Sequence, residues 1–132
     1  MDWALLLAAL IFVESEGNLW AYNSHDAAVG CLQVRQICLT EVNRKQGTNY
    51  QLRDLMGNKE LSQWVCIQYL RMHGAYDYES AARLWCGGPR WKSALHKTDA
   101  YWIKVKSRLS QMSLSNPARP KLAANNRVVA FP

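Results

Sequence analysis

Every residue from Trp3 to Val13 is apolar, and the run ends at Glu14. A helix that is apolar around its whole circumference is normally buried. The pattern therefore predicts a first core helix from about Asp2, its N-cap, to about Glu16, stopped by Gly17 and Asn18. The stretch from Leu19 to Gln33 changes character, with Asn23, Ser24, His25, Asp26 and Gly30 interrupting its apolar residues. It reads as a loop or short irregular hairpin, with Val29-Gly30-Cys31-Leu32-Gln33-Val34 as its best extended piece. Between Arg35 and Gln46 the positions Ile37, Cys38 and Val42 give a helical period closed by Gly47, and Thr48 to Met56 reads as a connector. Asn58 caps a longer helix reaching Met72, with Leu61, Trp64, Val65, Gln68, Tyr69 and Met72 on overlapping faces and Gly74 past its end.

A further helix is expected after Asp77, from Tyr78 to Trp85, broken by Gly87-Gly88-Pro89. After another loop, Thr98 caps a last helix through Tyr101, Trp102, Val105 and Leu109. Ser113 to Pro132 carries no sustained period and reads as a tail, extended, packed on the surface or disordered. The fold class predicted is mainly α with a small irregular hairpin after the first helix. One domain spans 1–112, a tail follows over 113–132, and a groove is expected beside the first helix.

The end of the apolar run has a chemical consequence. A carboxyl in the last turn of a buried helix borders a low-dielectric core, which disfavours its charged form and raises its pKa, and so makes a general acid. Taken alone, Glu14 reads more simply as the point where a core helix reaches solvent. Its neighbours have to decide.

At 132 residues the chain is one domain by length, large enough to bury about two thirds of its unfolded surface. The formal net charge of +6 favours an anionic partner, and nucleic acid, an anionic membrane surface or cell-wall polymer would qualify. The Lys and Arg residues are scattered, however, without a dense block or a nucleic-acid motif, and read as a solvated basic surface. The apolar start is far shorter than the roughly 20 residues of a membrane span. Asp2 stands where a signal peptide has basic residues, and no small-x-small cleavage site follows, so no signal peptide and no membrane insertion are expected. On that reading the 4 cysteines are reduced thiols rather than a disulfide framework, and their spacing matches no zinc motif. No metal or cofactor is expected.

Three segments in order carry a resemblance: Glu14-Ser15-Glu16-Gly17-Asn18; Ala28-Val29-Gly30-Cys31-Leu32-Gln33-Val34; and Ala82-Arg83-Leu84-Trp85-Cys86-Gly87-Gly88-Pro89 followed by Thr98, Tyr101-Trp102 and Lys104-Val105. Together they resemble the lysozyme-like superfamily of peptidoglycan-cleaving enzymes. The Glu-Ser and Gly-x-x-Gln motifs are similar to those of soluble lytic transglycosylases. The later segment is similar to that of invertebrate-type (destabilase) lysozymes, with their Ala-Arg-x-x-Asn-Gly-Gly-Pro and Thr-x-x-Tyr-Trp-x-Lys-Val patterns. The resemblance covers the chain from the first helix to about Leu109.

It implies a lysozyme-like α+β fold and a monomer that cleaves the glycan strands of peptidoglycan between N-acetylmuramic acid and N-acetylglucosamine. It implies no cofactor and no nucleic acid. The expected lack of a signal peptide suggests a phage-encoded or virion-associated protein, or a domain released by other means, acting on the bacterial cell wall. Glu14 falls on the family's catalytic acid. Ser15 resembles the serine that orients groups at the site, or else bonds to backbone as a helix-terminal hydroxyl. Gly30 supplies φ freedom to a turn, and Gln33 offers an amide to sugar hydroxyl and acetamido groups or holds the hairpin. Asp26 is either the second carboxyl of the invertebrate-type pair or a solvated loop side chain. Trp85, Trp91 and Tyr101 offer flat faces to sugar rings or belong to the core.

Glu16 replaces a glycine of the family pattern and reads as a solvent-facing side chain. Cys86 replaces an asparagine and is the largest departure, since a thiol cannot reproduce an amide's two-way hydrogen bonding. Hydrolysis with Glu14 and Asp26, lytic transglycosylation with Glu14 alone, and a non-catalytic wall-binding or virion structural module all stand as readings.

Overall fold

The computed structural model describes residues 1–115. In chain order the elements are α1 (Trp3–Ser15), β1 (Tyr22–Asn23), β2 (Ala28–Val29), α2 (Gln36–Gln46), α3 (Leu52–Leu55), α4 (Lys59–Met72), α5 (Tyr78–Gly87), a 3₁₀ segment (Trp91–Lys97) and α6 (Asp99–Ser115). The fold is mainly helical with a small two-stranded antiparallel hairpin after the first helix, as the pattern predicts. Among the described residues no helix is long and apolar enough to cross a membrane. The chain divides into two compact units. One holds Met1–Val13 and the chain from His73 onward, the other Glu14–Met72.

In the first unit, α1 starts as expected. The Asp2 carboxylate accepts the Leu5 N–H at 3.1 Å, and the Asp2 N–H donates to the Tyr78 hydroxyl at 3.1 Å, tying the start of α1 to the start of α5. Trp3, Leu5, Leu6, Leu7, Ala9, Leu10 and Ile11 are buried. Each such large apolar side chain contributes about 1.5–3 kcal/mol by leaving water. The burial is not all round, however. Ala4, Ala8 and Phe12, spaced four apart, form an exposed stripe, and the Arg108 guanidinium lies 3.8 Å from the Phe12 ring centroid.

Asp77 caps α5 by accepting the Ser80 N–H at 2.7 Å. That helix runs on to Gly87, past the expected end at Trp85. A Cβ at Gly87 would come within 2.6 Å of Thr98 Cγ2, so the close approach of the chain before α6 requires a glycine there. The expected loop before α6 contains the 3₁₀ segment, kinked at Ala94. α5 packs against α6 and the 3₁₀ segment. α6 continues beyond Leu109 to Ser115, so Ser113 to Ser115, expected in the tail, form its last turn. The rest of the expected tail lies outside the described residues.

In the second unit, Tyr22 pairs with Val29 and Asn23 with Ala28. The predicted extended piece from Val29 to Val34 is corrected: only Ala28–Val29 is strand. Gly30 and Gln33 adopt left-handed φ of 82° and 54°, which turns the chain back so that Val29 and Val34 exchange two backbone hydrogen bonds at 3.0 Å. α2 ends at Gly47 in the left-handed conformation, as predicted. Of its expected apolar face, Cys38 and Val42 are buried but Ile37 is 73% exposed, and Leu39 is buried instead.

The expected connector Thr48 to Met56 contains α3, a single turn closed by a capping box between Gln51 and Asp54. Asn58 caps α4 through the Leu61 N–H at 3.0 Å. α4 buries Ser62, Val65, Cys66, Tyr69 and Leu70. α2 and α3 pack on α4, and α3 also on β2.

Candidate functional site

Glu14 stands in the last turn of α1, half-buried. Beyond Ser15 the helix is stopped by two successive left-handed residues, Glu16 at φ 53° and Gly17 at φ 87°. Glu16 is exposed, as expected, and its backbone explains why a glycine suits that position: a left-handed residue with a Cβ is strained. The charge of Glu14 is felt at the fully buried Cys66 of α4. Burial pushes that thiol well up, and the neighbouring Cys38, Glu14 and Cys31 each add to the effect.

The Ser15 hydroxyl bonds to backbone, though not to that of its own helix. It donates to the Cys31 carbonyl at 2.8 Å, in the turn that follows β2. The Cys31 thiol is itself raised by burial and hydrogen-bonded with Ser62. In the same turn the Gln33 side-chain amide donates to the Gly30 carbonyl at 3.0 Å, and the Gln33 N–H donates to the same oxygen at 3.1 Å. Gly30 has no room for a side chain: a Cβ would lie 3.1 Å from the Leu55 carbonyl oxygen and 3.2 Å from Ser62 Oγ. The Gly30 N–H donates to the Ala21 carbonyl at 2.8 Å. The end of α1, the turn bearing Gly30 and Gln33, and α4 are thereby joined around Glu14, Ser15, Cys31, Ser62 and Cys66.

Asp26 lies on the hairpin of the same unit. It is exposed at the tip of the hairpin, where its carboxylate accepts from the Asn23 side-chain amide at 3.5 Å and its N–H donates to Asn23 Oδ1 at 3.4 Å. It serves there in an Asx-type turn.

In the other unit, Trp85 is buried, Cys86 beside it is half-buried in the last turn of α5, and Tyr101 is half-buried in the first turn of α6. Trp91 carries Lys92 Nζ at 5.6 Å from its ring centroid. The four cysteines are thiols: Cys31, Cys38 and Cys66 are buried and Cys86 is partly accessible.

Arg83, in the sequence a motif letter and one of the scattered basic residues expected on a solvated surface, is a correction to that expectation. It is buried, its Nε donates to Glu79 at 2.9 Å, and its Nη1 donates to Asp99 at 2.7 Å, Thr98 Oγ1 at 2.9 Å and the Leu95 carbonyl at 3.1 Å. Thr98 stands immediately before α6, as expected, and its carbonyl accepts the Trp102 N–H at 2.9 Å; its hydroxyl accepts from Arg83 and donates to the Leu95 carbonyl at 3.1 Å. The Arg of one motif segment and the Thr of the next are thus partners in one polar cluster. Trp20, in the loop after α1, and Tyr22, in β1, are also exposed. The signal in the sequence is that two aromatic side chains stand two apart between the end of the apolar run and the polar Asn23-Ser24-His25-Asp26.

Comparison of the chain with protein-family models, with curated proteins and with solved structures returned no match. The functional reading therefore rests on the chemistry of these residues and on the sequence motifs.

Proposed function

We propose that the chain is a lysozyme-like glycosidase that cleaves peptidoglycan between N-acetylmuramic acid and N-acetylglucosamine, with Glu14 as the general acid. The observation that carries it is a half-buried carboxyl at the end of an apolar helix, with the adjoining Ser15 fixed to the turn that presents Gln33. A glycosidic oxygen leaves readily only once it is protonated, and a carboxyl bordering a low-dielectric core is suited to carry that proton. Gln33 would meet the sugar's polar substituents from the same turn, held in place by its bond to Gly30.

A retaining hydrolase needs a second carboxyl about 5–5.5 Å from the first, an inverting one about 6.5–9.5 Å away. Asp26, exposed at the hairpin tip and occupied with Asn23, favours the reading in which Glu14 works alone. This is lytic transglycosylation. Glu14 gives its proton to the leaving oxygen, then takes one from the muramic-acid 6-hydroxyl as that oxygen bonds to C1, which closes a 1,6-anhydro ring.

The test is digestion of purified sacculi by the protein and by Glu14→Gln. The amide keeps the shape and removes the transferable proton, so release of soluble fragments should fall by about 10²–10⁴ with the helical circular-dichroism signal unchanged. Fragment masses separate anhydro ends from hydrolysed reducing ends. A Glu14→Gln protein with near wild-type turnover would refute the assignment, and wall binding without any fragments would favour a non-catalytic module.

A further inference from the structure

Trp20 is 68% exposed, although an indole is among the largest apolar surfaces a chain can bury. It is not loose. Its backbone N–H donates to the Asn18 side-chain carbonyl at 3.0 Å, and the preceding carbonyl, of Leu19, accepts the Gly57 N–H at 2.8 Å. A Cβ at Gly57 would lie 2.5 Å from Cζ2 of the indole, 2.8 Å from Cη2 and 2.9 Å from Cε2. Near-equal distances to three adjacent ring atoms put that point over the plane of the ring rather than at its edge. One face of the indole therefore lies on a glycine, while much of the ring surface stays open to water. Gly57 has φ 72°, so both its backbone and the indole above it require a glycine. Tyr22, 57% exposed, follows two residues later.

We propose that Trp20 is a stacking platform for a pyranose ring of an N-acetylated glycan strand. The inference rests on the glycan-cleaving reading of Glu14, and it adds a substrate-binding residue to that site. The C–H face of a pyranose is apolar and flat, with polar groups around its rim, so it covers an indole face without stranding its own hydroxyls. Trp20 sits six positions after Glu14 in the same unit, in the loop that leads from α1 into the hairpin. An indole already fixed on Gly57 loses little freedom on binding, which favours affinity.

The test measures binding of a β-1,4-linked N-acetylglucosamine tetramer by isothermal titration calorimetry, with tryptophan fluorescence as the signature of Trp20 itself, and retention on purified sacculi. It uses the wild type and the variants Trp20→Ala, Trp20→Phe, Gly57→Ala, Ile37→Ala and Glu14→Gln. Trp20→Ala should weaken binding about tenfold, equivalent to about 1.4 kcal/mol. Trp20→Phe should lose the sugar-induced blue shift and bind with intermediate affinity. Gly57→Ala, which displaces the indole without removing it, should weaken binding as Trp20→Ala does. Ile37, 73% exposed on α2 but not flat, is the control, and its replacement should leave binding unchanged.

Wild-type affinity in Trp20→Ala, or equal weakening in Ile37→Ala, would overturn the platform and leave the role of Glu14 standing. Conversely, a Glu14→Gln protein that cleaves normally while Trp20→Ala binds weakly would overturn the acid and leave the platform. A wild type that binds neither tetramer nor sacculi would overturn the platform and the glycan-cleaving reading together.

Discussion

Replacing Arg83 by Met isolates the polar cluster that joins α5 to the start of α6. The apolar stem is kept and the guanidinium is lost, so packing changes little. Four hydrogen bonds disappear, to Glu79, Leu95, Thr98 and Asp99. The Leu95 carbonyl keeps the Thr98 hydroxyl as a donor. The Glu79 and Asp99 side chains are 45% and 53% exposed, so water can take over their solvation. A fully buried charge would cost far more, and each of these bonds is worth only about 1 kcal/mol after that discount. The lost Thr98 bond adds about 1 kcal/mol. The sum is a destabilisation of about 3 kcal/mol.

Urea unfolding of the two proteins measures it. With a slope of about 2 kcal/mol/M the midpoint should fall by about 1.5 M at unchanged slope. Arg83→Lys, which keeps the charge but not the forked geometry, should recover part of the loss. A Met variant within about 0.5 M of the wild type would refute the structural weight given to this cluster.

Two further expectations are independent of the proposed reaction. Ala at Gly30 meets both a left-handed φ and crowding by Leu55 and Ser62, whereas Ala at Gly17 meets the φ of 87° with no atom within 4 Å. Gly17→Ala should cost about 1–2 kcal/mol and Gly30→Ala clearly more, and equal unfolding midpoints for the two variants would contradict that. Stability should also fall at alkaline pH. Burial pushes the Cys38 thiol and the Tyr69 phenol up to about 12, against about 8.5 and 10 for the unfolded chain. Their stabilising contribution is complete below the unfolded values and is lost as pH rises toward about 12, because only the unfolded chain ionises in between. Urea midpoints across that interval should decline, and less steeply in Cys38→Ala. A flat profile would show that these groups ionise without resistance in the fold.

What was legible in the sequence was local. Asp2, Asn58 and Asp77 cap the helices they precede because a short polar side chain one residue ahead of a helix reaches its first N–H groups. Gly47 ends α2 for an equally local reason. The misses follow where the deciding contact is distant or the residue type misleads. Gln33 takes a left-handed φ without being a glycine, so the extended reading of Val29 to Val34 had nothing to warn against it. α3 is four residues long, too short to show a period. Arg83 gave no sign of burial, because Asp99 lies sixteen positions away. α1 shows the limit of pattern in the other direction: a run with no polar residue cannot say which stripe faces water, and Ala4, Ala8 and Phe12 do. The position of Glu14 followed from the end of that run, but its anchoring through Ser15 to Cys31 did not.

The thiols buried in the Glu14–Met72 unit make it its own clock. Cys66 is wholly enclosed, and Cys31 and Cys38 nearly so. A bulky disulfide reagent can reach Cys66 only when the packing around α4 opens, and only in the time before it closes again. The rate at which that sulfur is modified, compared with the rate for an unstructured thiol, gives the free energy of opening directly. Reading it in the presence and absence of sacculi would report whether a wall polymer, if bound as proposed, restrains the unit, with no residue changed.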